Sequence, residues 1–335
     1  MSPNSTPNPT QNPQVLQIGF TCRNAAAASQ FYNHYLGFET GSSFALQGGA
    51  YATLLGIPGA ALKVQRLQLG QECLELLEVV DPGPGHRAAR AIPADSRSCD
   101  LWFQHICLVS RDLDAALQRL QPALAGGEAT PVSKAAQTLP EWNTAASGIR
   151  AYKFRDPDGH NLELLQFPAD KGDPRWHQPS AMKATTLLGI DHSAISVAST
   201  ERSCRFYDGL LGLQLGGDGV NSGPTQDDLD GLSDTKVRIT SHRCSSGAGV
   251  ECLNYLAPNL GRAMPADLSA TDLAHWQIRL QVDNLDILVD QLEAFGGQWL
   301  SNGIVDTADQ AQVLGFSRAA MVLDPDGHRL QLVQA

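Results

Sequence analysis

No stretch of this chain approaches the roughly 20 consecutive apolar residues that a membrane-spanning helix needs, which excludes an integral helical membrane protein. Basic charge is also scarce. Lys and Arg total 24 against 35 Asp and Glu, a formal net charge of −11, and nucleic acid binding requires clustered cations. No pair of its seven cysteines (Cys22, Cys73, Cys99, Cys107, Cys204, Cys244 and Cys252) is spaced C-x-x-C. An odd, scattered set lying mostly in apolar runs reads as buried free thiols, and so places the chain in the cytoplasm. The opening MSPNSTPNPTQNPQ has neither a basic n-region nor an apolar core, and residues 1–14 read as a disordered polar tail. What is present is 335 residues with 42% hydrophobic content, enough to bury the cores of two domains.

The sequence repeats itself. FYNHYLGF begins at Phe31 and FYDGLLGL at Phe206; DPDGH occurs at Asp156 to His160 and again at Asp324 to His328. A third, shorter match sets ECL at Glu72 to Leu74 against ECL at Glu251 to Leu253. The three come in the same order at similar offsets, the mark of a tandem duplication. Each copy also divides in two. Val15 to Cys22 reads as a strand. The helical spacing that follows has Asn24 as its N-cap and Gly37 at its end. Strand-like runs follow around Ala50 to Leu55, Lys63 to Leu69 and Gln71 to Val80, before Pro82-Gly83-Pro84-Gly85 breaks the pattern. FQHICLVS, DLDAALQRLQPAL and the strands up to Leu162–Phe167 repeat this plan.

The predicted class is therefore α+β, with four βαβββ modules at 15–82, 100–168, 188–259 and 273–335. Grouped along the chain, they make an N-terminal domain (15–168) and a C-terminal domain (188–335) joined by a Pro- and charge-rich linker (169–187). A single module exposes one apolar sheet face; two modules face to face bury it and enclose a cleft. Sequence leaves open whether modules pair within each half or exchange between chains, and leaves a homodimer open.

The βαβββ plan, the FY-x-x-x-LG helix end and the DPDGH-x-x-E turn together resemble the vicinal oxygen chelate superfamily, which includes glyoxalase I, bleomycin resistance proteins and extradiol dioxygenases. The resemblance covers essentially everything after residue 14. It implies metal ligands on the first and last strand of each module. Carried over position by position, these are Gln17 and Glu75 in the first module and His105 and Glu163 in the second. One imidazole and three oxygen donors with two negative charges suit a divalent ion such as Zn, Ni, Co, Mn or Fe(II). The matching positions in the second half, taking the ECL match as the register, are His192, Asn254, Gln277 and Gln331. They hold no carboxylate, so the C-terminal domain reads as a degenerate site.

Each residue also has a plainer reading. Gln17 fits a hydrogen-bonded core amide, Glu75 an exposed carboxylate and His105 a satisfied core histidine. Strand alternation, however, sets Glu75 on the face opposite Glu72 and Glu78. His160 and His328 read as parts of a turn, since Asp-Pro-Asp-Gly is turn sequence. His34 and Tyr35 read as helix-surface or packing residues. The loop LPEWNTAASG reads either as a cover for the cleft, with Trp142 on the substrate, or as a plain surface loop.

The resemblance implies a glyoxalase-type lyase or isomerase acting on a small substrate with vicinal oxygens through a metal-stabilised enediolate, with Glu163, or alternatively Glu75, moving the proton. An Fe(II) extradiol-type dioxygenase and a non-enzymatic small-molecule-binding resistance protein are the alternatives. Glutathione-dependent members are expected to hold their thiol with Arg and Asn. The matching Thr21, Val79 and Leu101 cannot make those contacts, which sets a glutathione adduct aside.

Overall fold

The computed structural model describes residues 13–178, 186–259 and 261–334. The predicted tail (all but its last two residues) and residues 179–185 of the predicted linker lie outside them. Gln14 already belongs to the first strand.

All four modules are present. The first comprises β1 (Gln14–Thr21), α1 (Ala25–Leu36), β2 (Glu39–Gln47), α2 (Gly49–Leu54), β3 (Ala61–Leu69) and β4 (Glu72–Asp81). The second comprises β5 (Gln104–Ser110), α3 (Leu113–Gly126), the short β6 (Thr130–Pro131) and β7 (Gln137–Thr138), then β8 (Arg150–Arg155) and β9 (Asn161–Gln166). The third has β10 (Leu187–Ser196), α4 (Thr200–Cys204) running on into a π-helical turn (Arg205–Leu210), β11 (Gln214–Ser222), α5 (Pro224–Asp230), β12 (Lys236–Arg243) and β13 (Gly249–Ala257). The fourth has β14 (Trp276–Gln281), α6 (Leu285–Gln291), β15 (Gln298–Trp299), β16 (Val305–Asp306), α7 (Ala311–Leu314), β17 (Arg318–Leu323) and β18 (Arg329–Gln334). Among the described residues no helix is long and apolar enough to cross a membrane.

Local signals explain most of these boundaries. The Asn24 side chain accepts the Ala27 N–H at 2.8 Å, and Gly37 ends the helix in the left-handed region (φ 74°), where a side chain would be strained. One element differs from expectation: Ala50 to Leu55 is the helix α2, and the strand lies earlier, at β2. Positive φ at Gly48 and Gly49 turns the chain out of β2. The short apolar run Tyr51-Ala52-Thr53-Leu54-Leu55 then buries its four apolar side chains. A run that short carries no periodicity able to separate strand from helix.

The two repeated motifs prove to be two halves of one contact. The Tyr32 hydroxyl donates to Asp156 Oδ2 at 3.1 Å, and Tyr207 donates to Asp324 Oδ2 at 3.0 Å. Within each turn the Asp also accepts backbone N–H groups, from Asp158 and His160 in one and from Asp326 and His328 in the other. His160 bonds Asp156 and the Leu273 carbonyl, and His328 bonds the Ser196 carbonyl. Both histidines are thus buried structural groups of the turn.

The modules do not pair along the chain. One nine-stranded sheet runs β15-β17-β18-β14-β1-β4-β3-β2 and the other β11-β12-β13-β10-β5-β9-β8-β6, with β16 and β7 pairing off these paths. Module 1 is therefore joined to module 4 through the antiparallel β1–β14 seam, and module 2 to module 3 through β5–β10. The grouping into domains 15–168 and 188–335 is corrected accordingly: each sheet takes one module from each half. Two straps make the crossings. Leu273 donates to the Arg90 carbonyl and Leu101 to the Arg262 carbonyl. Buried Asp272 binds Arg87 and Arg90, and buried Asp100 binds Arg262. The main hydrophobic core draws on all four modules, including Phe20, Leu108, Ile195 and Ile278.

Candidate metal centre

The pairing of modules decides which side chains meet. In the module 2/3 sheet, β5 and β10 run side by side with Ala194 opposite His105 and Cys107 opposite His192. The outer neighbours are β9, with Glu163 beside Cys107, and β13, with Glu251 beside Ala194. Four side chains of the same face converge. His105 Nε2 lies 3.2 Å from Glu163 Oε2. His192 Nε2 lies 3.3 Å from Glu251 Oε2 and 4.0 Å from Glu163 Oε2. His105, Glu163 and His192 each offer a ligand atom within 4.8 Å of the other two.

The surroundings set the charge and orientation of this group. The Nδ1–H of His192 donates to Asp191 Oδ2 at 2.9 Å, and Arg243 holds the same carboxylate oxygen at 3.0 Å. In the neutral ring that bond fixes the tautomer and leaves the Nε2 lone pair facing the carboxylates. Although buried, His192 Nε2 has no hydrogen-bond partner among the described residues. An orphaned imidazole nitrogen between two carboxylates is a donor set that fits a divalent ion. Burial raises the Glu163 carboxyl, but Lys153 and the two imidazoles outweigh it and bring it down to about 2. Burial lowers His105, and the Glu163 contact only partly offsets this, so that imidazole is held neutral and able to ligate. His192 is raised, because Glu251, Asp191 and Glu163 outweigh its burial.

The four groups open into a cavity of about 320 Å³. Lys153, Gln226 and Tyr255 line one side, and apolar residues such as Leu139, Ile149 and Phe167 another. The loop from Leu139 to Ile149 forms part of the rim, with Leu139, Ala145 and Ala146 facing in. Trp142 itself is 60% exposed and is not part of the lining. A separate surface groove of about 420 Å³ runs along α1 past Arg23, His34, Tyr35 and Asp158. It holds no convergent group of buried ionisable side chains.

The module 1/4 cleft has the same plan and different contents. Glu75 lies beside Gly19 on β4, and Gln17 lies opposite Arg279 across the seam. Glu75 Oε1 accepts from Tyr51 at 2.8 Å and from Arg279 at 3.1 Å, and Oε2 accepts from Arg66 at 3.1 Å. Arg279 also bonds Gln331 and lies over the Phe316 ring, 4.9 Å from its centroid. Burial raises the Glu75 carboxyl, but Arg279 and Arg66 more than compensate and hold it below its usual range. A buried apolar cluster that includes Tyr51, Leu55, Leu314, Phe316 and Met321 closes this cleft. A guanidinium stands where the other cleft gathers its imidazoles and carboxylates.

The predicted quartet is thereby divided. His105 and Glu163 lie in the open cleft, whereas Gln17 and Glu75 lie in the closed one and do not meet them. Their partners are His192 and Glu251, both from the half that read as degenerate. The ECL match produced the second error. In the structure Glu75 and Glu251 hold the same strand position, beside Gly19 and Ala194 respectively. Glu72 faces the other side and binds Arg175 and the Ile190 N–H. Asn254 donates to Thr200 and takes no part in the cluster. Alternation along β4 holds as expected: Glu78 points away from Glu75 to cap α1 through the Ala25 N–H. Thr21 and Val79 belong to the closed side and Leu101 to a strap, so none of the three bears on the open cavity.

The model of the Glyoxalase/Bleomycin resistance protein/Dioxygenase superfamily matches residues 14–164 and 189–332. Among solved structures, glyoxalase I from Zea mays is 13% identical, with 97% of this chain and 93% of that chain covered and a TM-score of 0.59. A putative dioxygenase from Bacillus subtilis subsp. subtilis str. 168 is 10% identical, with 96% and 84% covered and a TM-score of 0.52. At these identities the likeness is one of fold. No curated protein matches the sequence.

Proposed function

The chain belongs to the Glyoxalase/Bleomycin resistance protein/Dioxygenase superfamily, and from that premise we propose that it is a metal-dependent lyase or isomerase of the glyoxalase type with one working site, between modules 2 and 3. The observation that carries this is the meeting of His105, Glu163 and His192, with Glu251 against His192, in a cavity sized for a small molecule. Those four residues would hold the ion. A divalent metal there supplies a Lewis acid that polarises a substrate carbonyl.

The chain's own groups supply the rest. Asp191 and Arg243 orient His192. Glu251 is the carboxylate best placed to carry a proton. Its side chain is 17% exposed against 8% for Glu163, and its Oε1 accepts from the Ser241 hydroxyl alone among the described residues. Glu163 is instead packed between Lys153 and His105. This moves the proton-transfer role from the Glu163 and Glu75 of the sequence reading to Glu251. Leu139, Ile149 and Phe167 give the cavity an apolar wall for the substrate's carbon skeleton. The partner is a small molecule with vicinal oxygens. Seven free thiols support a reducing compartment, the cytoplasm.

A second reading has its own support. His105, His192 and Glu163 form a two-His, one-carboxylate set, which suits non-haem Fe(II) and oxygen chemistry. The role of Glu251 separates the two. Purified protein should be assayed for isomerisation of α-oxo-aldehyde adducts and, separately, with Fe(II), for oxygen uptake with catechols. Turnover without oxygen that Glu251→Gln abolishes supports the lyase or isomerase. Oxygen uptake that survives Glu251→Gln establishes the dioxygenase. A stoichiometric ligand complex with no turnover in either assay makes it a binding protein.

A further inference from the structure

The duplication gives this protein an internal control: two clefts on one scaffold, one closed and one open. Position by position, the differences between them separate what the fold needs from what the cavity needs. Lys153 is the cross-strand partner of Glu163, and Met321 is that of Gln331. Tyr255 stands opposite Val237, and Val79 opposite Leu62. Gln226 and Tyr51 are each the third residue of a short helix, and Asp230 and Leu55 occupy the seventh position counted from the same start. Gly219 pairs with Ile239 where Phe44 pairs with Val64.

Where the closed cleft has Met321, Leu55 and Val79, the open one has Lys153, Asp230 and Tyr255. These polar groups form a buried network. Lys153 Nζ donates to Asp230 Oδ1 at 2.6 Å, and Gln226 and Tyr255 donate to Oδ2 at 2.8 and 3.0 Å. A buried ion pair adds little or nothing to stability relative to well-packed apolar residues of similar volume. The twin cleft shows that this scaffold builds readily with those apolar residues. The network is therefore not there to support the fold.

It also leaves bonding capacity turned toward the cavity. The Asp230 carboxylate only accepts, so Gln226 must present its NH₂ to it, which turns Oε1 the other way. Among the described residues Gln226 Oε1 has no partner, although Gln226 is 2% exposed. Lys153 has three N–H donors, and among the described residues its Nζ bonds Asp230 alone. Both residues line the cavity. Gly219, with an ordinary φ and open space around a built Cβ except for Ala145 at 3.8 Å, leaves room that Phe44 fills in the twin. An unused donor beside an unused acceptor matches a group that both accepts and donates, which is a hydroxyl.

We propose that Lys153 and Gln226, held in place by Asp230, bind a substrate hydroxyl beyond the oxygens that reach the metal ligands, so that the substrate is a small hydroxylated oxo compound. This rests on the reading of the module 2/3 cavity as the working site. Dihydroxyacetone and hydroxyacetone differ by that one distal hydroxyl and serve as probes.

Binding of both probes should be measured by calorimetry on wild type, Lys153→Met/Asp230→Leu and Gln226→Leu, with metal content determined on the same samples. The double variant installs residues the twin cleft already uses, so it should fold, with a Tm lowered only by what Gln226 and Tyr255 lose with Asp230 as their acceptor. Wild type is expected to prefer dihydroxyacetone by about 10-fold or more, a range set by one hydrogen bond to a charged group. Both variants should lose that preference and keep their metal. Equal binding of the two probes by wild type, or a preference that survives both changes, overturns the proposal. A wild type without metal that still shows the preference would sink the metal reading and leave this one standing.

Discussion

His105 and His192 come from opposite halves of the chain and face each other across the β5–β10 seam, their ring centroids 5.9 Å apart. Neither half alone places two imidazoles in one cleft. Replacing either with alanine should lower metal affinity by at least about 100-fold, beyond the effect of losing an outer-shell partner. Titration with a competing chelator measures it, and the same titration should show no change for Gln277→Ala.

Asp191 lines the cavity and meets the metal-ligand group through the His192 Nδ1–H. Asp191→Asn removes the charge and leaves the tautomer free. Metal affinity should fall by roughly 10- to 100-fold, with far-ultraviolet circular dichroism unchanged. An affinity equal to wild type would remove Asp191 from the account.

Glu251 and Asn254 make a paired test of strand register. Glu251→Gln should lower kcat by roughly 10²- to 10⁴-fold, the range of a lost acid–base group. Asn254→Ala, which loses a hydrogen bond to Thr200 outside the cluster, should stay within a few-fold of wild type. The opposite result would restore the register that the ECL match suggested.

The closed cleft carries a stability prediction. Arg279→Met leaves Glu75 buried with Arg66 as its remaining cation. Breaking such a buried pair costs about 3–5 kcal/mol, read from urea denaturation. Arg279→Met with Glu75→Gln should recover most of that loss. Metal content should be untouched by either.

His275 gives the pH dependence. Burial, the larger cause, and the neighbouring Arg329 lower it from 6.5 to about 3. The unfolded chain therefore takes up a proton first as pH falls. The stability this neutral imidazole contributes is fully present above about pH 6.5 and is lost at ~1.4 kcal/mol per pH unit below it. His275→Phe, which installs the residue of the matching position Phe103, should flatten the wild-type slope between pH 6.5 and 5. Parallel slopes for the two proteins would contradict it.

Much of this was legible in the residues. The turn in DPDGH, the helix from Asn24 to Gly37 and the four modules are local features, set by short-range sterics and hydrogen bonds. His105 and Glu163 were legible because each sits at a repeated strand position. Two things were not. Module pairing depends on contacts between distant parts of the chain, held by straps such as Arg262–Asp100, which no short motif announces. Strand register was misread because an identical triplet outweighed geometry. Sliding Glu251 by three positions, from Glu75 to Glu72, is an odd shift, and an odd shift turns every side chain to the opposite face. That one slip hid a carboxylate and made the second half read as empty.

On the proposed function one cleft binds metal, the one shared by modules 2 and 3. Elemental analysis of wild type, His192→Ala and Glu75→Gln tests it most directly. The account predicts about one divalent metal per chain in wild type and in Glu75→Gln, and almost none in His192→Ala. Metal kept by His192→Ala and lost from Glu75→Gln would contradict it.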